Sequence, residues 1–299
     1  MFKHILVPLD GSNLSEASLI PAAVLAVKFK APVTLLHVIE QDAPSEIHAD
    51  RHLTEPEEAL DYLEDIARRE FPSKVKVQTH VHTAPVSDVT RSIVEHVTTE
   101  FQTDLIVICA HGKSGIRDAL FGNIAQQIAT LGKTPLLIVK PVSPRFKLEK
   151  VLIPLDPDSE HDISFPYAES LAKAFQAEIH LLSVIPTYAT LAGEQAAAGT
   201  LMPVTAQAFL DMKEDNARQH LQEHVTALKE RGLRATMEIA RGDPASLITK
   251  IAESSAMDMI ILATHRRKGM GAFWARSVAP KVAQKTKLPL LLIPLSQNE

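Results

Sequence analysis

Cysteine is nearly missing: Cys109 is the single one in 299 residues. No disulfide can form within such a chain, and this usage suits a reducing, cytoplasmic setting. Long hydrophobic runs are missing too, since none approaches the ~20 residues that a membrane-spanning helix needs. A strand-like apolar run starts almost at Met1, so no signal peptide is expected. A membrane is therefore not an expected partner. There is no excess of positive charge. The formal net charge is -5 and no block of Lys or Arg occurs, which gives no electrostatic reason to expect nucleic acid as a partner. The chain also lacks a Walker A lysine motif, a G-x-G-x-x-G fingerprint, and any Ser/His/Asp order or carboxylate pair in a convincing catalytic setting.

What is present is said twice. The run His4-Ile5-Leu6-Val7-Pro8-Leu9-Asp10 returns as Lys150-Val151-Leu152-Ile153-Pro154-Leu155-Asp156. The run Val33–Ile39 returns as Ile179–Ile185 at the same offset of 146. Asp104–His111 returns as Asp258–His265, and Pro135–Val139 as Pro289–Ile293, both at an offset of 154. A register held over separate segments marks an internal repeat. The chain reads as two copies of one domain, 1–143 and 147–299, and its length fits two domains of about 150 residues. The linker Lys140–Phe146 carries Pro141 and Pro144, which prevent a helix from running through it.

In the first copy, residues near 3–9, 33–39, 105–110 and 135–140 form almost continuous Ile/Leu/Val runs. Strands of a parallel sheet covered on both faces read this way. Val75, Val77, Thr79 and Val81 alternate with polar residues instead, as expected at a sheet edge. Thr54 with Glu57 reads as a capping box ahead of a Leu60/Leu63/Ala67/Phe71 stripe. Val86, Val89, Ile93, Val97 and Phe101 form a second stripe, and a third helix starts near Asn123. Alternating strands and helices predict an α/β fold, with a doubly wound parallel sheet in each copy. The second copy adds an Ala/Gly-rich insertion near Leu191–Pro203, expected to be a loop or lid.

Ligands of doubly wound sheets bind at the carboxyl ends of the strands. Three segments converge there in the first copy: Asp10-Gly11-Ser12, Val38-Ile39, and the stretch from Cys109 through His111, Gly112, Lys113, Ser114 and Gly115 to Gly122 and Asn123. Glycines after a buried strand, followed by a helix N-terminus, outline a phosphate cradle with Lys113 and Arg117 as nearby cations. The same residues also read as plain turn glycines, with Asn123 an ordinary N-cap partnered by Gln126.

The Ile-Leu-Val-Pro-Leu-Asp-Gly-Ser opening, the Leu-Leu-His-Val strand, the Ala-His-Gly-Lys-Ser-Gly loop and the Pro-Leu-Leu-Ile-Val close resemble the universal stress protein (UspA) family in tandem form. The resemblance covers nearly the whole chain. It implies two Rossmann-like five-stranded sheets of strand order 3-2-1-4-5, packed as a pseudo-twofold dimer through their final strands. It also implies ATP as cofactor, with Mg as an allowed companion. Many members bind ATP through Gly, two residues, Gly, nine residues, Gly, then Ser or Thr. Those positions here are Cys109, Gly112, Gly122 and Asn123, so two glycines match. The resemblance assigns nucleoside contacts to Asp10 and the Val38 backbone, beside Pro8, and loop contacts to His111, Lys113 and Gly115. In the second copy the motif positions are Ala263, Arg266, Arg276 and Ser277, with Pro157 where the first has Gly11. Arginine at glycine positions predicts a degenerate second site.

Other candidates weigh less. His220-Leu221-Gln222-Glu223-His224 matches the H-x-x-E-H zinc-peptidase pattern. An amphipathic helix explains it as well, and no further carboxylate ligand is recognisable, so no metal is expected. His48, Asp50 and His52 read as a solvated loop rather than a metal clip, and Cys109 as a small core residue rather than a nucleophile. His111 and His265 recur at one place in both copies and suit a structural bond or a ligand contact. The leading expectation is a stress or signalling protein that binds an adenine nucleotide in its first copy. Alternatives are a slow ATP-hydrolysing enzyme and a ligand-free pseudo-dimer that binds partners. Homo-oligomerisation through the second domain or the pseudo-dimer surface is allowed.

Overall fold

The computed structural model describes residues 1–47, 50–110, 123–141, 146–156, 159–190, 203–264 and 277–295. They divide into two compact units. The first draws on Met1–Lys147 and, from the far end of the chain, on 289–295; the second on Leu148–Thr264 and Ser277–Leu288.

The first unit is built on β1 (Ile5–Pro8), β2 (Val33–Glu40), β5 (Val77–Val86), β6 (Leu105–Cys109) and β7 (Leu136–Val139). Their order is β7-β6-β1-β2-β5, and every pair is parallel. Every residue of β1, β6 and β7 is buried, as continuous apolar runs require of strands covered on both faces. The alternating strand, β5, lies at the end of the order. The helices are α1 (Leu19–Phe29), α2 (Pro56–Glu70), α3 (Val89–Glu95) and α4 (Asn123–Leu131). Between β2 and α2 lies a small antiparallel pair, β3 (Glu46–Ile47) with β4 (Asp50–Arg51).

Two local expectations fail. The Thr54/Glu57 capping box is not made: α2 opens at Pro56, with Glu55 at the N-cap and no side-chain cap bond. Proline at the first helical position has its φ preset and no N–H to satisfy, so it sets the start by itself. Val86 belongs to β5, not to a helix. The following helix starts at Val89, where the Asp88 side chain accepts a bond from the Arg91 N–H, and continues as a π-helical turn over His96–Glu100.

In the second unit β8 (Lys150–Pro154), β9 (Glu178–Ile185), β10 (Ala235–Arg241) and β11 (Met259–Thr264) run in the order β10-β9-β8-β11, with every printed pair parallel. Helices α5 (Phe165–Phe175), α6 (Pro203–Glu230), α7 (Pro244–Ser254) and α8 (Val278–Lys285) accompany them. The repeat persists at single-residue level. Lys30 and Gln176, equivalent at offset 146, both take left-handed φ values of 55° and 57° to close α1 and α5. Asp104 accepts from the Lys3 and His4 backbone N–H groups, and its counterpart Asp258 from those of Glu149 and Lys150.

The last strand, β12 (Leu290–Pro294), counts with the first unit and pairs antiparallel with β7. Leu137 faces Leu291, its own counterpart at offset 154, and the flanking pairs are Ile138 with Leu290 and Leu136 with Leu292. This pairing occupies an apolar edge that would otherwise invite association. Among the described residues no helix is long and apolar enough to cross a membrane. The Leu191–Pro203 insertion lies outside the described residues up to 202.

Candidate functional site

The carboxyl ends of β1, β2, β6 and β7 gather the candidate residues. Pro8 ends β1 and is buried. Immediately after it the chain turns through Asp10-Gly11-Ser12. One Asp10 carboxylate oxygen, Oδ1, accepts from the Ser12 N–H at 3.0 Å and from the Ser12 hydroxyl at 2.6 Å, a local turn that Asp forms readily. The Ser12 hydroxyl accepts in turn from the Ser15 N–H at 3.2 Å, and Ser15 Oγ donates to the Ser12 carbonyl at 2.8 Å. Gly11 has φ +86°, and a Cβ there would lie 2.8 Å from Leu53 Cδ1. Both facts demand glycine. The result is a rigid turn that holds the partly exposed Asp10 at the sheet edge.

A second layer braces this turn. Asp50 takes two bonds from Asn13, from its N–H at 2.9 Å and from Nδ2 at 3.0 Å. His37, buried in β2, points Nδ1 at the Leu9 carbonyl (2.8 Å) and Nε2 at the Leu53 carbonyl (3.0 Å). Burial holds its pKa below the usual histidine value, against the pull of those two carbonyls. The segment near Asp50–Leu53 is thus not a solvated loop: His52 is 5% exposed and Leu53 8%, and Leu53 packs with Ile39 and Ala59. His48 lies outside the described residues. Val38 is buried, and the β2–β5 register shifts between Val38 and Glu40. Such irregularities often re-aim backbone next to a site.

On the other side of β1, Cys109 ends β6 and is buried. Burial pushes its thiol up to about 12, with the Asp10 charge adding to that and Lys140 opposing it. A thiol so shifted is protonated at neutral pH and is no nucleophile, which agrees with a core role. Lys140 directly follows β7, and burial lowers its pKa. It is a cation near the site that sequence reading assigned to the linker. Its position at the carboxyl end of a sheet strand was the available signal.

Of the predicted residues, the structure thus brings Pro8, Asp10, Val38 and Cys109 to one edge of one sheet. Asn123 opens α4. His111, Gly112, Lys113, Gly115 and Gly122 lie outside the described residues, as do Arg117, Arg266 and Arg276. In the second unit, Ser277 caps α8 with extended backbone (φ -87°, ψ 141°) but makes no side-chain cap bond. Ala263 is half-buried near the end of β11.

Comparison with known proteins follows the same duplication. The model of the Universal stress protein family matches residues 1–140 and again 147–294. Universal stress protein YxiE of Bacillus subtilis is 26% identical over 153 residues, which is 47% of this chain and all of that protein. A universal stress protein of Methanocaldococcus jannaschii is 26% identical over 148 residues, 47% of this chain and 83% of its own length. Among solved structures, a universal stress protein from Archaeoglobus fulgidus superposes with a TM-score of 0.74 at 17% identity, covering 99% of this chain and 97% of that one. A functionally unknown Pseudomonas aeruginosa protein gives 0.68 at 19% identity, covering 98% and 93%. These likenesses show the fold.

Proposed function

We propose that this chain, which belongs to the universal stress protein family as two tandem copies, binds ATP or a related adenine nucleotide in its first copy and acts in the cytoplasm through that binding. The copies are taken as 1–143 and 147–299. The observation that carries this reading is the locked Asp10-Gly11-Ser12 turn at the carboxyl end of β1, placed where nucleotide ligands of doubly wound sheets sit. Asp10 suits a hydroxyl-donating nucleoside, because an ionised carboxylate is acceptor-only. Lys140, close enough to act on Cys109, supplies positive charge on the same edge. Gly112 and Gly122 stand at two positions of the family's phosphate motif, with Asn123 as a donor to phosphate oxygen. The second copy, with Arg266 and Arg276 at those positions, binds the nucleotide far more weakly or not at all. Turnover is not part of the proposal: a hydrolytic centre needs a positioned base or activated water, and Asp10 Oδ1 is instead taken up by the Ser12 N–H and hydroxyl.

Calorimetric titration of the full chain with ATP and with AMP tests this. One nucleotide per chain is expected, lost in Gly122→Arg and weakened in Asp10→Ala, with the far-UV spectrum unchanged. Two equivalent sites, or binding that survives Gly122→Arg, would overturn it.

A further inference from the structure

We propose that Asp162, His220 and His224 form a binding site for a divalent transition-metal ion of the zinc class in the second copy. His220 and His224 are four residues apart on α6, which places both rings on one helical face. The missing third ligand comes from elsewhere in the sequence. The short 3₁₀ turn Ser159–Ser164 carries Asp162 against that face, His220 Nε2 lies 3.3 Å from Asp162 Oδ1, and His224 Nε2 lies 3.3 Å from Asp162 Oδ2. Each imidazole addresses its own carboxylate oxygen, and the three ligand atoms all lie within 4.8 Å of one another. Metal–ligand bonds of about 2.0–2.2 Å set neighbouring donors of a tetrahedral ion about 3.3–3.6 Å apart, which is the spacing between each imidazole and its own carboxylate oxygen.

Hydrogen bonding alone does not account for the cluster. Asp162 Oδ1 and His220 Nε2 are buried atoms with no hydrogen-bond partner, and such atoms are costly unless something satisfies them. A cation at their common focus satisfies both. Phe165 stacks on the His224 ring at 4.0 Å between centroids and 19° between planes, so its orientation is supported from behind. The first copy solves the same position differently. Glu16, the counterpart of Asp162 at offset 146, receives the Tyr62 hydroxyl on Oε1 and the Arg69 guanidinium on Oε2. Asp162 has two imidazoles where Glu16 has a donor and a cation.

Two imidazoles and a carboxylate suit zinc, cobalt or nickel rather than calcium or magnesium. Three protein ligands leave one tetrahedral place for water. The site is not a peptidase centre, because Glu223 is exposed and accepts instead from Gln219 at 3.0 Å. Its role is to tie the Ser159–Ser164 turn to α6.

The test is equilibrium dialysis of the metal-free full chain with Zn2+ and Co2+, in a His96→Gln background. That background removes the first copy's own close group of His80, His96 and Glu100. One equivalent should bind. Its affinity should fall more than about 100-fold in His220→Gln/His224→Gln and in Asp162→Asn, since losing even an outer-shell partner costs about 10–100-fold. Failure of the background chain to take up either metal would overturn the proposal. So would an Asp162→Asn chain that binds as tightly as its parent, for that is a helical histidine pair alone. X-ray absorption of the zinc-loaded parent must count two imidazoles and oxygen, a measurement that stands even if a variant fails to fold.

Discussion

Gly11→Ala is the sharpest perturbation the first copy offers, because two independent penalties fall on one methyl group. At φ +86° an L-residue is strained, which costs about 1–2 kcal/mol for left-handed backbone. The added Cβ would also meet Leu53 Cδ1 and Cγ at 2.8 Å. Leu53 is 8% exposed and packed with Ile39 and Ala59, so it can yield only by disturbing that cluster. Overpacking of this kind costs about 1–3 kcal/mol. The expected loss is therefore about 2–5 kcal/mol. Gly232→Ala is the matched control: its φ is +76°, yet nothing lies within 4 Å of its Cβ position, so it should show the strain of about 1–2 kcal/mol alone. Urea unfolding of both variants gives the two losses, and their difference is the Leu53 contact. Nucleotide affinity should fall in Gly11→Ala and not in Gly232→Ala, because only Gly11 adjoins Asp10. Equal losses in the two variants would refute the reasoning from the close approach.

Three further outcomes follow from the same geometry. Burial lowers the pKa of His4, His37 and His80 below the reference 6.5. Below that value the unfolded chain binds protons that these folded rings resist, so stability should be full above about pH 6.5 and decline as pH falls towards the folded values; urea midpoints equal at pH 7.5 and 5.5 would contradict this. Cys109, with its thiol pushed up to about 12, should resist iodoacetamide at pH 8 in the native protein and react readily once unfolded, and fast native alkylation would show the burial argument wrong. Ile138→Lys places an unpaired charge at a residue 1% exposed that faces Leu290, which costs several kcal/mol; it should lower the melting temperature or cause aggregation by light scattering, and a variant as stable as its parent would remove the β7–β12 pairing as a stabilising element.

The sheets were legible because burial on both faces leaves a plain mark: a strand such as Leu105–Cys109 has no polar position to blur it. The edge position of β5 was legible for the converse reason, since Val77, Thr79 and Val81 alternate with polar residues in the sequence and no residue of the strand is fully buried. Helix boundaries were less so. Thr54 and Glu57 match a capping pattern, but the pattern cannot register that Pro56 sets the start without help. At the site, Asp10, Val38 and Cys109 could be placed from strand ends alone. The bracing could not, because His37 reaches the Leu53 carbonyl across a connection that composition marks as polar. Asp162 was illegible for a similar reason. A histidine pair on one helix is local and visible, but its carboxylate lies 58 residues before His220, in a turn with no periodicity of its own.

Comparing the copies separates what the fold requires from what each site has made of it. Asp104 and Asp258 both tie backbone N–H groups at the start of their first strand. Lys30 and Gln176 both close their helices in the left-handed region. These positions keep their geometry although half the residue identities differ, since the backbone groups they serve are present in either copy whatever the ligand. Other positions changed between the copies. Gly11 is answered by Pro157, the motif glycines by Arg266 and Arg276, and the Glu16–Tyr62–Arg69 group by Asp162, His220 and His224. Gly11 is required by its φ and by Leu53 in the first copy, whereas the Glu16 and Asp162 groups are joined side chain to side chain, so no backbone bond fixes them and they were open to different chemistry in each copy. Retained anchors beside exchanged side chains are compatible with two functions on one scaffold: the nucleotide proposed at the sheet edge of the first copy, and the metal ion proposed against the long helix of the second.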